Sequence, residues 1–368
     1  MALALVTDAP RTGAQEIPTV ELRQRGWRRE GDKEHGFRYL NARGQLIKSQ
    51  PHIERIHRLR IPPAWRDVRI SPSFHTNLQA TGLDDAGRKQ YIYHPDFVAR
   101  QAARKFDRLG LFATKLPQMR SITSEHLGEE TDPTESRIMA TMVRLINEAY
   151  FRVGSEEYAK RHKTYGITTL LKHHVRLENR QMVFEYTGKR GIRQNQVITD
   201  GQLYEIMERL MGLPGKRMFQ YFDEHGELRP ANGHELNAYI KRVMSAGLSA
   251  KDFRTWGGTL LAAETLAELG PSDSEKQAKK NIVEAVKHVA QKLGNTPAVA
   301  RSSYISPVVF ERYLQGKTLE GYVRRAEKTI HAKQLDYDPE ELALVRLLGL
   351  KVPLVSATIN HEEAAWQG

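Results

Sequence analysis

The spacing of apolar residues changes character near residue 100, and this change restricts the fold more than any other feature of the chain. Before that point, short alternating runs are separated by turn residues. Beyond residue 200, apolar positions recur every three or four residues. A chain ordered in this way builds a sheet first and a helical body second, an α+β arrangement. In the first part, residues 37–40 and 45–47 flank Asn41-Ala42-Arg43-Gly44, a hairpin turn. Ile53, Ile56 and Leu59 have helical spacing, Pro62-Pro63 ends that helix, and 67–70 reads as a strand. A second hairpin follows, with arms at 77–82 and 88–94 around Asp84-Asp85-Ala86-Gly87. A helix over 95–110, rich in Arg and Lys, closes a β-rich domain of residues 1–105.

The second domain, 106–368, is mainly helical. Helices are expected at 117–127 and 133–149, the latter started by Pro133 with Ile138, Met142, Leu145, Ile146 and Ala149 along one stripe. Three short strands at 172–178, 181–187 and 192–198 form a small sheet. Its second turn is Gly188-Lys189-Arg190-Gly191, two cations between glycines. Helices are then expected at 200–212, 233–246, 249–269, 274–293, 307–315, 319–331 and 339–349. Residues 1–22 are unpatterned and read as a flexible lead-in.

Charge points to the partner. Residues 1–105 hold 19 Lys/Arg against 11 Asp/Glu, an excess of 8 within a whole-chain net charge of +12. Such a surface suits a polyanion, most simply duplex nucleic acid. On the returning strand of the second hairpin, Lys89, Tyr91 and Tyr93 face one way and Gln90, Ile92 and His94 the other. Cations, an amide and aromatics on an exposed ribbon can enter a groove and hold phosphates. The alternative is an ordinary amphipathic strand with its tyrosines in the core.

Several chemistries are excluded or unsupported. With no cysteine there are no disulfides, thiolate metal sites or cysteine nucleophiles. Gly316-Lys317-Thr318 imitates the end of a phosphate loop, but Glu311 stands where its first glycine belongs. His361-Glu362-Glu363 lacks a second histidine four residues on, and His173-His174 read as surface residues alternating across a strand. No metal or cofactor is expected. No apolar run reaches the roughly 20 residues that span a bilayer, and Asp8 and Pro10 interrupt the apolar start. The expectation is a cytoplasmic, nucleoid-associated monomer that does not enter membranes.

The chemistry concentrates between Lys251-Asp252-Phe253-Arg254-Thr255-Trp256-Gly257-Gly258 and Gly294-Asn295-Thr296-Pro297 through Ser303-Tyr304. Arg254 presents a planar fork of donors that fits a phosphate. Asn295 adds a neutral donor. A tyrosine such as Tyr304 needs positive charge nearby to become a nucleophile. Read alone, the stretch is also compatible with a basic helix face followed by a buried aromatic.

With Arg152-Val153-Gly154 and Tyr158 upstream and Gly188-Lys189 between, the ordered set resembles the type IB DNA topoisomerases, in their compact poxvirus-like and bacterial branch. Gly87-Arg88-Lys89-Gln90-Tyr91-Ile92-Tyr93 is similar to that family's DNA-contacting hairpin. The resemblance covers most of the chain. It implies a clamp around duplex DNA that relaxes supercoils by transient single-strand cleavage, without ATP or a required metal. In that scheme Tyr304 forms a 3′-phosphotyrosyl link, and Arg152, Arg254 and Asn295 hold the phosphate. Lys189 protonates the leaving 5′ oxygen, with Lys251 the second candidate, and Lys89, Gln90, Tyr91, Tyr93 and Tyr158 contact DNA. One departure stands out: the family commonly carries histidine where this chain has Asn295, which can donate a hydrogen bond but cannot carry charge or transfer a proton. Tyrosine recombinases share the arginine–lysine–arginine–tyrosine chemistry, but usually have a helical N-terminal arm and histidine at the Lys251 position. A non-catalytic DNA-binding protein would need no such ordered set.

Overall fold

The computed structural model describes Leu22 and residues 25–128, 133–322, 330–331 and 336–352. Except for Leu22, the expected lead-in lies outside the described residues, as does His361-Glu362-Glu363. The chain is α+β and divides into two compact units, Met1–Lys105 and Phe106–Gly368.

The first unit is a five-stranded antiparallel sheet in the order β2-β1-β3-β4-β5. The strands are β1 (Trp27–Asp32), β2 (Gly36–Leu40), β3 (Arg66–Ile70), β4 (Leu78–Leu83) and β5 (Lys89–Tyr93). Strand β1 was not anticipated: Trp27-Arg28-Arg29-Glu30 carries one large apolar residue and no alternation to mark it. The Asn41–Gly44 turn forms, but its far arm makes only a single bridge, Leu40 to Leu46. Helix α1 (Gln50–Arg58) contributes Ile56 to a core with Trp27, Trp65, Val68, Ile70, Ala80 and Ile92. In the β4–β5 hairpin Gly82 is required, because a Cβ there would stand 2.8 Å from the Trp65 ring.

Helix α2 corrects the expected pair of helices. It runs without a break from Pro95 to Leu127, with Pro117 inside. Proline has no N–H to give the carbonyl four residues back, which normally breaks a helix. Here the orphaned carbonyl is that of Ala113, and it accepts a hydrogen bond from the Tyr337 hydroxyl at 2.8 Å. A residue far along the chain supplies the missing donor.

The second unit surrounds one large apolar core. Its helices are α3 (Glu135–Ala149), α4 (Glu156–His162), α5 (Gly201–Gly212), α6 (Gly233–Val243), α7 (Ala250–Leu269), α8 (Glu275–Leu293), α9 (Pro297–Ser303), α10 (Pro307–Leu314) and α11 (Pro339–Leu348). Strands β6 (Val175–Glu178), β7 (Gln181–Thr187) and β8 (Arg193–Thr199) form two hairpins. The sheet has four described strands, not three: β11 (Ile330–His331) joins β8 in parallel. The helix expected over 319–331 is therefore wrong at its end, and residues 319–322 are not helical. A two-stranded ribbon, β9 (Gln220–Phe222) and β10 (Leu228–Pro230), was also missed, its arms being too short to show a period. Helix α7 is tied at Glu341 of α11. Trp256 Nε1 donates to that carboxylate at 3.3 Å, and Arg120 grips it through two bonds of 2.8 and 2.9 Å, all out of water.

Candidate active site

Three chain segments meet around Tyr304: the end of α3, the first turns of α7 and the end of α8. Two of them, the ends of α3 and α8, turn there through a left-handed residue. Helix α3 stops because Tyr150 takes the left-handed conformation, φ 58° and ψ 33°. That conformation is unfavourable for a residue with a Cβ. It is retained because the Tyr150 carbonyl accepts a hydrogen bond from Arg254 and its ring lies against Gly257. The turn sends the chain onward into Phe151 and Arg152. Helix α8 stops at Gly294, also left-handed (φ 59°), where the Asn295 amide returns to the Ala290 carbonyl at 2.8 Å. This is the glycine termination common to helices. Thr296 then caps α9, with Pro297 in its first turn, and α9 delivers Tyr304 at its C-terminal end.

The arginines converge on the carbonyl end of α8. Arg254 is 5% exposed and donates to Leu293 O at 2.6 Å. Arg152 donates to Gly294 O at 3.1 Å and to the Asn295 side-chain oxygen. A helix C-terminus attracts cations, so these carbonyls hold the guanidiniums in place. Since Asn295 Oδ1 faces Arg152, its amide nitrogen points away, and that nitrogen is buried with no hydrogen bond. It is a donor held ready for an acceptor.

Tyr304 is 7% exposed, and the Arg254 guanidinium carbon lies 5.2 Å from its ring centroid. Burial pushes the hydroxyl's pKa up. The charges of Arg254, Arg152 and Lys251, with a hydrogen bond from Arg254, outweigh burial and bring it below the ordinary tyrosine value. Arg254 in turn is pushed down to about 10, chiefly by burial and then by the charge of Arg152. It stays protonated at neutral pH. Two consecutive glycines seat Tyr304 and Tyr150. A Cβ on Gly258 would stand 2.7 Å from the Tyr304 carbonyl, and one on Gly257 only 2.0 Å from the Tyr150 ring. Their roles were not read from the sequence, although Gly-Gly inside a helix is a signal in itself, each glycine costing about 1 kcal/mol relative to alanine.

The remaining site residues are more scattered. Lys251 is exposed in the first turn of α7, three residues before Arg254. Lys189 is exposed at the tip of the β7–β8 hairpin, in a tight helical turn closed by Gly188 N–H to Ile192 O at 2.8 Å. Tyr158 is 39% exposed on α4, its ring 5.6 Å from that of His162.

The β4–β5 hairpin departs from the exposed ribbon expected of it. Gln90 is buried, and its amide donates to Asp84 Oδ2 at 2.9 Å. Tyr93 is buried with Leu22 and Leu78 and stacks with Tyr91. Lys89 and Tyr91 keep partial exposure, the ammonium 5.6 Å from the Tyr91 ring centroid. Sequence alternation gives the two faces of a strand but not what covers each of them. The histidine pair also departs from expectation. His173 and His174 lie in a short helical turn, and His174 is buried against Tyr165. Among the described residues, no group of three or more His, Cys, Asp or Glu could hold a metal ion.

Residues 94–330 match the family described as the catalytic core of eukaryotic DNA topoisomerase I, and residues 36–84 match the N-terminal domain of bacterial DNA topoisomerase IB. The chain is 34% identical over 270 residues to a DNA topoisomerase 1B of Acanthamoeba polyphaga mimivirus, covering 71% of this chain and 80% of that protein. It is 25% identical to DNA topoisomerase 1 of rabbit fibroma virus, over 75% and 86% of the two chains. To DNA topoisomerase 1B of vaccinia virus, strain Copenhagen, it is 23% identical over 74% and 85%.

Proposed function

The chain belongs to the type IB DNA topoisomerase family, and on that premise we propose how its own residues carry out strand cleavage and religation. The enzyme relaxes supercoiled duplex DNA by cutting one strand and resealing it. The observation that supports the residue assignment best is the surroundings of Tyr304: a buried hydroxyl beside Arg254, its pKa lowered by three cations.

Tyr304 gives up its phenolic proton to water, and the phenolate Oη attacks a backbone phosphorus in line with the 5′ oxygen. The new bond is a 3′-phosphotyrosyl ester, the bond to the 5′ oxygen breaks, and the electron pair leaves on that oxygen. Charge gathers on the non-bridging oxygens as the phosphorus passes through its transition state. Arg152, Arg254 and the unpaired Asn295 Nδ2 supply donors there, in a site mostly closed to water. Fixed donors of this kind need no reorganisation when the charge develops. Phosphate displaces part of the hold that the α8 carbonyls have on the two arginines. Asn295 acts by hydrogen bonding alone.

The leaving alkoxide requires a proton, and Lys189 supplies it, with Lys251 behind it; such proton donation is typically worth ~10²–10⁴-fold. The ester keeps the energy of the broken bond, so the reverse attack by the 5′ hydroxyl reseals the strand without ATP. The basic first unit and the second unit close around the duplex as a clamp, Lys89, Tyr91 and Tyr158 contacting DNA. Gln90 and Tyr93 support that hairpin from inside.

The test is supercoiled plasmid with chelator and no ATP. Relaxation regardless of sequence is the expected result. Activity confined to paired target sites, or retarded DNA that stays supercoiled, refutes the reading.

A further inference from the structure

The turn that carries Lys189 is closed by its own backbone, Gly188 N–H to Ile192 O at 2.8 Å, and its direction relative to the rest of the site is set at its base. Residues 189–193 are all exposed, and Arg190 and Gly191 both have positive φ, 65° and 75°. The base is where the turn touches the rest of the site. Gln194 is the first residue after the turn to leave the surface, and it lies opposite Tyr186 in the β7–β8 register.

The Gln194 side chain fills the space left by two glycines. A Cβ on Gly188 would stand 3.0 Å from Gln194 Cγ. A Cβ on Gly294 would stand 2.8 Å from Gln194 Nε2, 3.4 Å from Oε1 and 3.5 Å from Cδ, so the amide end lies against the Gly294 backbone. Gly188 immediately precedes Lys189. Gly294 immediately precedes Asn295, and its carbonyl accepts from Arg152. One side chain thus bridges the residue before the lysine and the residue before the phosphate donor. At Gly294 the absence of a side chain serves both the left-handed helix end and the seat of the glutamine.

We propose that Gln194 is a positioning residue: it braces the Lys189 turn against the end of helix α8, and so sets the lysine's place relative to Asn295 and the nucleophile Tyr304. The brace acts by contact, since the side chain's length spans the two glycines. It rests on the reading that Lys189 acts in cleavage.

The experiment is single-turnover cleavage of a duplex whose cut end diffuses away, measured for the wild type, Gln194→Ala, Gln194→Met, Lys189→Ala and the double variant Lys189→Ala/Gln194→Ala. Melting temperatures establish that each is folded, and Gln194→Ser replaces Gln194→Ala if the latter loses its cooperative melt. Gln194→Ala should cleave roughly 10–100-fold more slowly, as for a reacting group displaced by about an ångström. Gln194→Met, similar in length, should keep most of the rate. In the Lys189→Ala background, removing Gln194 should change the rate by less than about twofold, because a residue acting through the lysine has nothing left to position. A full further loss in the double variant overturns the proposal, as does Gln194→Met as slow as Gln194→Ala. If Lys189→Ala is slow while Gln194→Ala cleaves normally, the brace alone is wrong. If Lys189→Ala cleaves normally, the role of the lysine falls and the brace falls with it.

Discussion

Gly257→Ala and Gly258→Ala place a single methyl group at two points of the site, and the structure sets what each must move. Carbon atoms in ordinary contact stand at 3.4 Å or more. A methyl on Gly257 would begin 2.0 Å from Tyr150 Cε1, so that ring must retreat by about 1.4 Å. On Gly258 it would begin 2.7 Å from the Tyr304 carbonyl, a retreat of about 0.7 Å. Alanine gains ~1 kcal/mol in helix propensity over glycine, while overpacking costs ~1–3 kcal/mol and occasionally more. Gly257→Ala should therefore be destabilised by about 2 kcal/mol, which lowers Tm by ~4–8 °C for a unit of this size. Gly258→Ala should lose about 1 kcal/mol, because the atom in the way is the Tyr304 backbone carbonyl. The two should nevertheless both lose cleavage. Gly258→Ala shifts the backbone of the nucleophile, and a displacement approaching an ångström costs up to ~10²-fold in rate. Gly257→Ala moves the Tyr150 carbonyl that Arg254 holds. Calorimetry and single-turnover cleavage separate the two quantities. A Gly258→Ala enzyme with normal Tm and normal cleavage would refute the seating of Tyr304 on α7.

Tyr304→Phe should abolish covalent protein–DNA adducts while DNA affinity stays near that of the wild type; adducts in that variant would refute the assignment. They would not implicate Tyr313, the next tyrosine along the chain, because its hydroxyl donates to Gly270 O and accepts from Asn281 within the core. Lys189→Ala should lose ~10²–10⁴-fold in cleavage, and a substrate with sulfur at the scissile 5′ position should restore most of that loss, since a thiolate leaves without a proton. Arg254→Ala should gain little from the same substrate, and equal failure of the two variants would leave Lys189 as a phosphate contact. Glu341→Gln removes the charge that faces buried Arg120 and should cost ~3–5 kcal/mol in urea unfolding; an unchanged midpoint would show that the pair does not anchor α7. Burial, with the nearby His173 charge, lowers His174 to about 4. Between about 4 and the unfolded value near 6.5 the unfolded chain binds more protons, so stability should rise with pH across that window and be lost as pH falls. His174→Asn should flatten this slope, and an unaltered pH profile of Tm would count against the buried neutral form.

The candidate site was legible in the sequence because its parts are short motifs whose order the chain preserves. Arg152-Val153-Gly154, Gly188-Lys189, Lys251 to Gly258 and Gly294 to Tyr304 each carry their chemistry in adjacent residues. Most helices of the second unit were legible for the same local reason: caps, prolines and apolar spacing act within one or two turns. Long-range partners were not. Helix α2 passes through Pro117 because Tyr337, more than 200 residues on, gives Ala113 its hydrogen bond. Strand β11 exists only as a partner of β8. Tyr93 alternates as a strand requires, yet it is buried with Leu22, about 70 residues before it. The donors of Arg152 and Arg254 were evident, but not that α8 carbonyls hold them. Periodicity, capping and motif order are properties of neighbouring residues, and the sequence by itself determined them. Burial, borrowed hydrogen bonds and the lowered pKa of Tyr304 depend on which distant segments meet, and only the tertiary structure decided those.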